Sequence, residues 1–260
     1  VTAFVARYGP WALVAGASEG IGAAFATELA ARGLDLVLVA RRPEPLAALA
    51  ARLPTRAVAV AADLSTEDGL ETVAEATDGR EVGLVVANAA YSPIGPFVAT
   101  DPARLLCSLD LNCRAPLWLA RRYLPAMAAR GRGGLVIMSS LAGQQGSPGI
   151  AAYAATKAFG AVLAEGLWAE LRPVGVDVLA CVAGAVGTAN LARAKPSRAP
   201  GTVSPEAVVG AALRALGRRP RTVPGGGARA AAAAMSRLLP RRAAIRIIGH
   251  ASRDLSGGGP

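Results

Sequence analysis

The run Trp11-Ala12-Leu13-Val14-Ala15-Gly16-Ala17-Ser18-Glu19-Gly20-Ile21-Gly22 carries an apolar strand into the start of a helix through three glycines. Glycine at 16, 20 and 22 lets the backbone turn tightly and come close to a ligand. The helix behind the turn offers unpaired N–H groups and a positive dipole end, which suit a pyrophosphate. Three glycines alone also fit a strand-to-helix turn with no ligand; their place between the first strand and the first helix is what favours phosphate binding. The same residues satisfy G-x-S-x-G, with Ser18 as the nucleophile of a hydrolase. That reading needs a histidine base, and the one histidine, His250, lies near the end of the chain.

Beyond this turn, apolar runs alternate with helical patterns. WALVAG, LDLVLVA, RAVAVAA and GLVVANA are separated by helical stretches near 20–32, near 44–53 and after Ser65. A helix near 102–130, the strand GLVIMSS, a helix near 151–171 and the strand VDVLACV follow. Near-continuous apolar strands belong to sheets covered on both faces by helices. The pattern therefore predicts an α/β fold, a doubly wound parallel sheet of the Rossmann kind. No repeat or Pro/Ser-rich linker interrupts residues 1–224, expected to form one nucleotide-binding catalytic domain, and residues 225–260 read as a basic helical C-terminal extension.

At 260 residues, 53% hydrophobic and 18% charged, the chain can bury a substantial core. Its longest charge-free run, 133–156, is broken by serines, glutamines, glycines and Pro148, so no membrane-spanning helix is expected. The start, VTAFVARYGPW, resembles neither a signal nor a transit peptide. Cys107, Cys113 and Cys181 lack metal-ligand spacing, so reduced, packed thiols in a cytoplasmic protein are expected. One histidine also argues against a zinc or iron centre, and no metal is expected. The net charge of +10 is concentrated in residues 211–260, where ten arginines face one acid, Asp254. The rest has no basic stripe or groove-binding motif, so nucleic acid is not expected as a partner.

At the end of the second strand, where an acid would meet a ribose 2′-hydroxyl, the chain reads Val39-Ala40-Arg41-Arg42. Two guanidinium groups suit a 2′-phosphate, which favours NADP(H) over NAD(H). A solvated arginine pair in an arginine-rich chain is the plainer reading.

Tyr153 and Lys157 stand four residues apart on one predicted helix and share a face. Of 28 basic residues only Lys157 and Lys195 are lysine, and a compact ammonium can reach a phenol and a ribose together. A nearby ammonium lowers a phenol pKa from its ordinary value of about 10. Ser140 ends GLVIMSS at the carboxyl edge of the sheet, where its hydroxyl can orient a carbonyl oxygen. Singly these are ordinary packing or surface residues; with the glycine turn they form a catalytic constellation.

Given these elements, the chain resembles the short-chain dehydrogenase/reductase family from about Trp11 to Pro224, nearest in look to its ketoacyl and hydroxysteroid reductases. The family's T-G-x-x-x-G-x-G turn falls on Ala15-Gly16 through Gly22, its Y-x-x-x-K on Tyr153 through Lys157, and its serine on Ser140. Its helix asparagine falls on Asn112, its adenine-pocket acid on Asp63, its N-N-A-G element on Ala87-Asn88-Ala89-Ala90, and its P-G-x-x-x-T segment on Ala183-Gly184 through Thr188. Alanine at 15, 87, 90 and 183, and Glu19, depart from the pattern.

The resemblance implies hydride transfer between NADP(H) and a carbonyl or secondary alcohol by a homo-oligomer. It implies cofactor contacts at Gly16, Ser18, Glu19, Gly20, Ile21, Gly22, Arg41, Arg42, Asp63, Leu64, Asn88, Val186 and Thr188, together with Tyr153 and Lys157. Tyr153 would be the general acid or base, Lys157 would lower its pKa and hold the nicotinamide ribose, Ser140 would polarise the carbonyl, and Asn112 would hold a relay water. Pro116, four residues after Asn112, has no N–H, which leaves the Asn112 carbonyl free for such a water. Residues 189–203 fall on the family's variable substrate segment, and a lipid-like carbonyl is the favoured substrate. The rival classes are a Ser18 hydrolase and a cofactor-binding regulator without turnover.

In the extension, Arg229, Arg237, Arg241, Arg242 and Arg246 are interleaved with Met235, Leu238, Leu239, Ile245, Ile247 and Ile248, and Pro240 predicts two short helices. Such a segment either docks peripherally on an anionic membrane surface or packs on the protein's own core or a sister subunit.

Overall fold

A computed structural model describes residues 2–187, 202–237 and 239–253. Strands β1 (Trp11–Ala15), β2 (Asp35–Ala40), β3 (Ala57–Ala61), β4 (Val82–Ala87), β5 (Gly133–Ser140), β6 (Val176–Ala183) and β7 (Arg221–Thr222) form one sheet. Their order is β3-β2-β1-β4-β5-β6-β7, with every neighbouring pair parallel. Helices α1 (Ala3–Tyr8), α2 (Gly20–Ala31), α3 (Pro43–Ala50), α4 (Glu67–Ala76), α5 (Pro102–Leu109), α6 (Ala115–Arg130), α7 (Ala151–Leu171) and α8 (Pro205–Ala215) precede or link the strands. After β7 come α9 (Gly226–Arg237) and α10 (Arg241–Arg253). This is the expected doubly wound sheet, and the strand order reverses between β1 and β4, opening a crevice at the carboxyl ends.

Side chains alternate across the sheet with the period of two that a strand imposes. Val14, Leu38, Val86, Val136 and Cys181 pack on one face against Phe25 and Leu29 of α2 and Val208 and Leu213 of α8. Leu13, Val37, Val85, Ile137 and Ala180 pack on the other against Leu119 and Met127 of α6, Val73 of α4 and Ala164 of α7. Burial on both faces explains why β1, β2, β4, β5 and β6 read as near-continuous apolar runs, while β3 at the sheet edge is only partly buried. Cys107, Cys113 and Cys181 are free thiols. No helix among the described residues is long and apolar enough to cross a membrane.

The helix expected over 102–130 is interrupted. Residues Asp110–Arg114 form a π-helical turn in which the Ala115 amide donates to the Asp110 carbonyl, one residue further back than in an α-helix. Pro116 lies at the start of α6, where its missing N–H cannot serve the preceding turn. The residues on either side of Pro240 form separate helices, as its ring requires. Three elements were not anticipated: α1, α8 and the two-residue β7. The first is tied down by Tyr8, whose hydroxyl donates to Asp177 Oδ2 at 2.7 Å, and by Arg7, whose Nε donates to the same oxygen at 2.8 Å.

Candidate active site

The glycine turn is held from three sides. Gly16 and Gly20 adopt left-handed φ values of 75° and 59°, which side chains resist. A Cβ on Gly22 would stand 1.9 Å from the Gly16 carbonyl oxygen, so α2 closes directly on the turn. The Gly16 and Ala17 amides donate to the Val39 carbonyl at 2.7 and 3.1 Å, and Asn88 Nδ2 donates to the Gly16 carbonyl at 3.0 Å. Asn88 thus locks the turn to the end of β4. Glu19 stands at the N-cap of α2 and its side chain makes no capping bond to the first-turn amides. An open helix start behind a glycine turn fits a phosphate. Ser18 and Ile21 are half-buried on this turn.

At the end of β2, Arg42 Nη2 lies 3.2 Å from Glu19 Oε2. The glutamate that departs from the family pattern is therefore paired with a cation of the same site. Arg41 is exposed and makes no hydrogen bond or ion pair among the described residues, which leaves its guanidinium open to a phosphate. Asp63 Oδ1 accepts from the Ser65 amide at 2.9 Å and its hydroxyl at 2.7 Å, so only the second carboxylate oxygen remains for a ligand. Leu64 is buried in the core and can offer only its backbone. Val186 is buried and forms a parallel bridge with Val203, while Thr188 lies outside the described residues.

Ser140 ends β5 and Tyr153 and Lys157 lie on α7, which packs along β5 and β6. The Ser140 side chain lies near the Tyr153 phenol, and its Oγ accepts from the Ala142 amide at 3.2 Å. Burial holds that phenol above its ordinary pKa, and the nearby Ser140 opposes the shift without cancelling it. The expected lowering by Lys157 is not found. The Lys157 ammonium is 5.6 Å from the Tyr153 ring centre and donates to the Met138 carbonyl at 2.9 Å. Burial brings the lysine down to about 8, with the neighbouring Cys113 thiol opposing that shift. Ser139 Oγ donates to the Lys157 carbonyl at 2.7 Å, fixing α7 to the strand next to Ser140.

Asn112 sits in the π turn, 3% exposed. Its Oδ1 accepts from the Tyr91 amide at 2.9 Å, and its Nδ2 reaches the Tyr91 carbonyl at 2.8 Å, Thr156 Oγ1 at 2.9 Å and Ser108 Oγ at 3.2 Å. With its side chain so committed, only the backbone carbonyl of Asn112 is left as the expected water site. The residues that hold the site, namely Tyr91, Ser108, Ser139 and Thr156, were missed in the sequence. Ser139 and Thr156 each adjoin a predicted site residue, which was an available signal; the backbone of Tyr91 and the Met138 carbonyl carry none.

A profile of the family described as short chain dehydrogenase matches residues 10–199. The chain belongs to the short-chain dehydrogenase family. It is 33% identical to a 7β-hydroxysteroid dehydrogenase of Clostridium sardiniense over 83% of this chain and 85% of that one. A very-long-chain 3-oxoacyl-CoA reductase of Podospora anserina is 34% identical over 70% of this chain, which spans 56% of the fungal enzyme. A solved structure from work on 7β-hydroxysteroid dehydrogenase stereoselectivity superposes with a TM-score of 0.90 at 29% identity, covering 95% of this chain and 99% of that one. A short-chain dehydrogenase of Sphingobium yanoikuyae in complex with NADPH superposes with a TM-score of 0.75 at 34% identity, covering 83% and 87%. The chain is thus an oxidoreductase of the class that moves a hydride between CH–OH and C=O with a nicotinamide cofactor, and it resembles hydroxysteroid reductases. Nothing in the geometry or the comparisons supports a Ser18 hydrolase or a regulator without turnover.

Proposed function

We propose that this short-chain dehydrogenase reduces ketones with NADPH, using Ser140, Tyr153, Lys157 and Asn112 as its catalytic residues. The observation that carries this reading is the placing of Tyr153 and the buried Lys157 on one turn of α7, with the ammonium 5.6 Å from the ring centre, against the strand that ends at Ser140. A carbonyl oxygen between Ser140 and Tyr153 accepts a hydrogen bond from the first and a proton from the second. A phenol held above its ordinary pKa keeps its proton at neutral pH, which suits the acid role in reduction. Lys157, still mostly ammonium at neutral pH, holds the ribose hydroxyls of the cofactor. NADPH, when bound, supplies the hydride. Asn112 offers its backbone carbonyl to a water that returns a proton toward Lys157.

The unpartnered Arg41 and the absence of an acid at that strand end support NADPH over NADH. The names of the relatives and the apolar composition support a bulky lipid-like ketone. Family habit supports a homo-oligomer, as do the exposed Leu117 of α6 and Phe159 and Val162 of α7. Residues 1–224 form the catalytic unit and 225–260 a basic extension. Burial of Ala232 and Ala244 in that extension favours packing on the protein over peripheral membrane contact. The test is NADPH consumption across ketones, aldehydes and 3-ketoacyl thioesters. Turnover of bulky ketones is expected; no consumption anywhere in the panel contradicts the reading.

A further inference from the structure

The extension is seated on the segments that follow β5 and β6 at the carboxyl edge of the sheet. The loop after β5 carries Leu141–Gln144 as a 3-10 turn directly behind Ser140, and it lies at the carboxyl edge of the sheet. Arg241, the first residue of α10, donates from Nη1 to the Gln144 carbonyl at 2.9 Å. One helical turn later, Ile245 stands 3.7 Å from the place a Cβ on Gly146 would take. Arg241 and Ile245 are i and i+4, so the same face of α10 meets the loop with a cation at one end and an apolar residue at the other. On the far rim, Ala228 of α9 and Leu141 both approach Gly184, at the end of β6, to 3.5 and 3.3 Å from its would-be Cβ. The two helices therefore bridge the segments after β5 and β6, the first of which follows directly on Ser140.

The chemistry of this cap is one-sided. Between Gly226 and Arg253 there are six arginines and no aspartate or glutamate. Arg229, Arg241, Arg242 and Arg246 are exposed, and Arg241 uses one nitrogen on Gln144 while its other two have no partner among the described residues. Gln144 itself carries a buried side-chain nitrogen without a hydrogen bond. Buried amide donors are normally paired, so the junction of cap and loop is one acceptor short. Ile247 is exposed on the same helix as Arg241, Arg242 and Arg246, and Leu239 is exposed just before that helix begins.

We infer that the α9–α10 cap is the substrate-recognition element of the site and that Arg241 holds an anionic oxygen group, carboxylate or phosphate, on the far end of an otherwise apolar ketone. The inference rests on the reductase reading and adds the polarity of the substrate to it. A guanidinium that already spans to the catalytic loop can fix a carboxylate or phosphate without reorganising, and the apolar face beside it covers the body of the substrate.

The test uses the full chain with NADPH and two matched pairs of ketones. The first is a ketosteroid with a side-chain carboxylate against its methyl ester; the second is a 3-ketoacyl-CoA against the same acyl group on N-acetylcysteamine. In at least one pair the anionic member is expected to show a kcat/KM at least tenfold higher, mainly through KM. Arg241→Gln brings that ratio towards one, and Arg241→Lys restores part of it. Which pair responds separates carboxylate from phosphate. Ratios near one in both pairs, or ratios that Arg241→Gln leaves unchanged, overturn the inference. Calorimetric titration of the same ligands, read with circular dichroism of each variant, separates the two readings. A charge-dependent affinity without any NADPH oxidation sinks the reductase reading and leaves the recognition site standing. Absence of charge-dependent binding with normal turnover does the reverse.

Discussion

Asn112 in the π turn donates through Nδ2 to Thr156 Oγ1 at 2.9 Å, and Thr156 donates in turn to the Tyr153 carbonyl at 2.7 Å. This chain of two bonds couples the turn between α5 and α6 to the turn of α7 that carries both Tyr153 and Lys157. The same asparagine holds the Tyr91 backbone through both ends of its amide. Its side chain therefore acts as a clamp among three segments of the site.

Asn112→Ala strands the Tyr91 amide, now a donor without its acceptor, and releases Thr156. Leaving buried polar groups unpaired costs about 1–3 kcal/mol each. Urea unfolding is expected to show a loss in that range, and steady-state assays a drop in kcat larger than the change in cofactor affinity. An unchanged midpoint and unchanged kcat contradict the clamp.

Lys157 gives a pH signature in stability. Folding lowers its pKa from 10.5 to about 8, chiefly because burial disfavours the charged form. A base whose pKa falls on folding destabilises the native state fully below pH 8 and no longer does so above pH 10.5. At about 1.4 kcal/mol per pKa unit the penalty is roughly 3 kcal/mol at neutral pH. Lys157→Met is thus expected to be inactive yet more stable than wild type at pH 7, with the difference shrinking from pH 8 upward. A variant less stable at pH 7, or a difference that grows with pH, is the opposite outcome.

Gly22→Ala places a methyl group 1.9 Å from the Gly16 carbonyl oxygen, against backbone that cannot swing aside. The turn must shift, at a cost of about 1–3 kcal/mol typical of overpacking. Fluorescence titration should show NADPH affinity reduced by tenfold or more, with a lowered Tm. Normal affinity would remove this turn from the cofactor site.

Arg41→Ala removes a cation at the end of β2 that has no partner among the described residues. A charge-assisted hydrogen bond contributes about 1.5–3 kcal/mol, or roughly ten- to hundredfold in affinity. Wild type is expected to prefer NADPH, and the variant to lose that preference by weaker NADPH binding with NADH little changed. Equal affinities in wild type, or an unmoved preference in the variant, contradict the role given to Arg41.

Strand positions and the glycine turn were legible because burial on both faces and left-handed φ each leave a mark on residue type: strands dominated by Val, Leu and Ala in β1, β2 and β4, and Gly at 16 and 20. Tyr153, Lys157 and Ser140 were legible through spacing and through the rarity of lysine. The π turn was half legible, since Pro116 announces a missing amide but not how the helix absorbs it. The sign of the Tyr153 shift was misread because spacing reveals a nearby cation, whereas burial depends on how α7 packs against β5 and β6. Backbone partners such as the Met138 carbonyl have no residue type to read, and the seating of α10 on Gln144 joins segments 97 positions apart.

Tyr153→Phe keeps the ring and removes the transferable proton, so it isolates proton transfer from binding. The direct measurement is single-turnover NADPH oxidation with a bulky ketone by wild type and Tyr153→Phe, with NADPH affinity determined for both. The expected result is a rate lower by about 10²–10⁴-fold with affinity nearly unchanged. A Tyr153→Phe variant that oxidises NADPH at close to the wild-type rate contradicts Tyr153 as the proton donor and, with it, the assignment of this site.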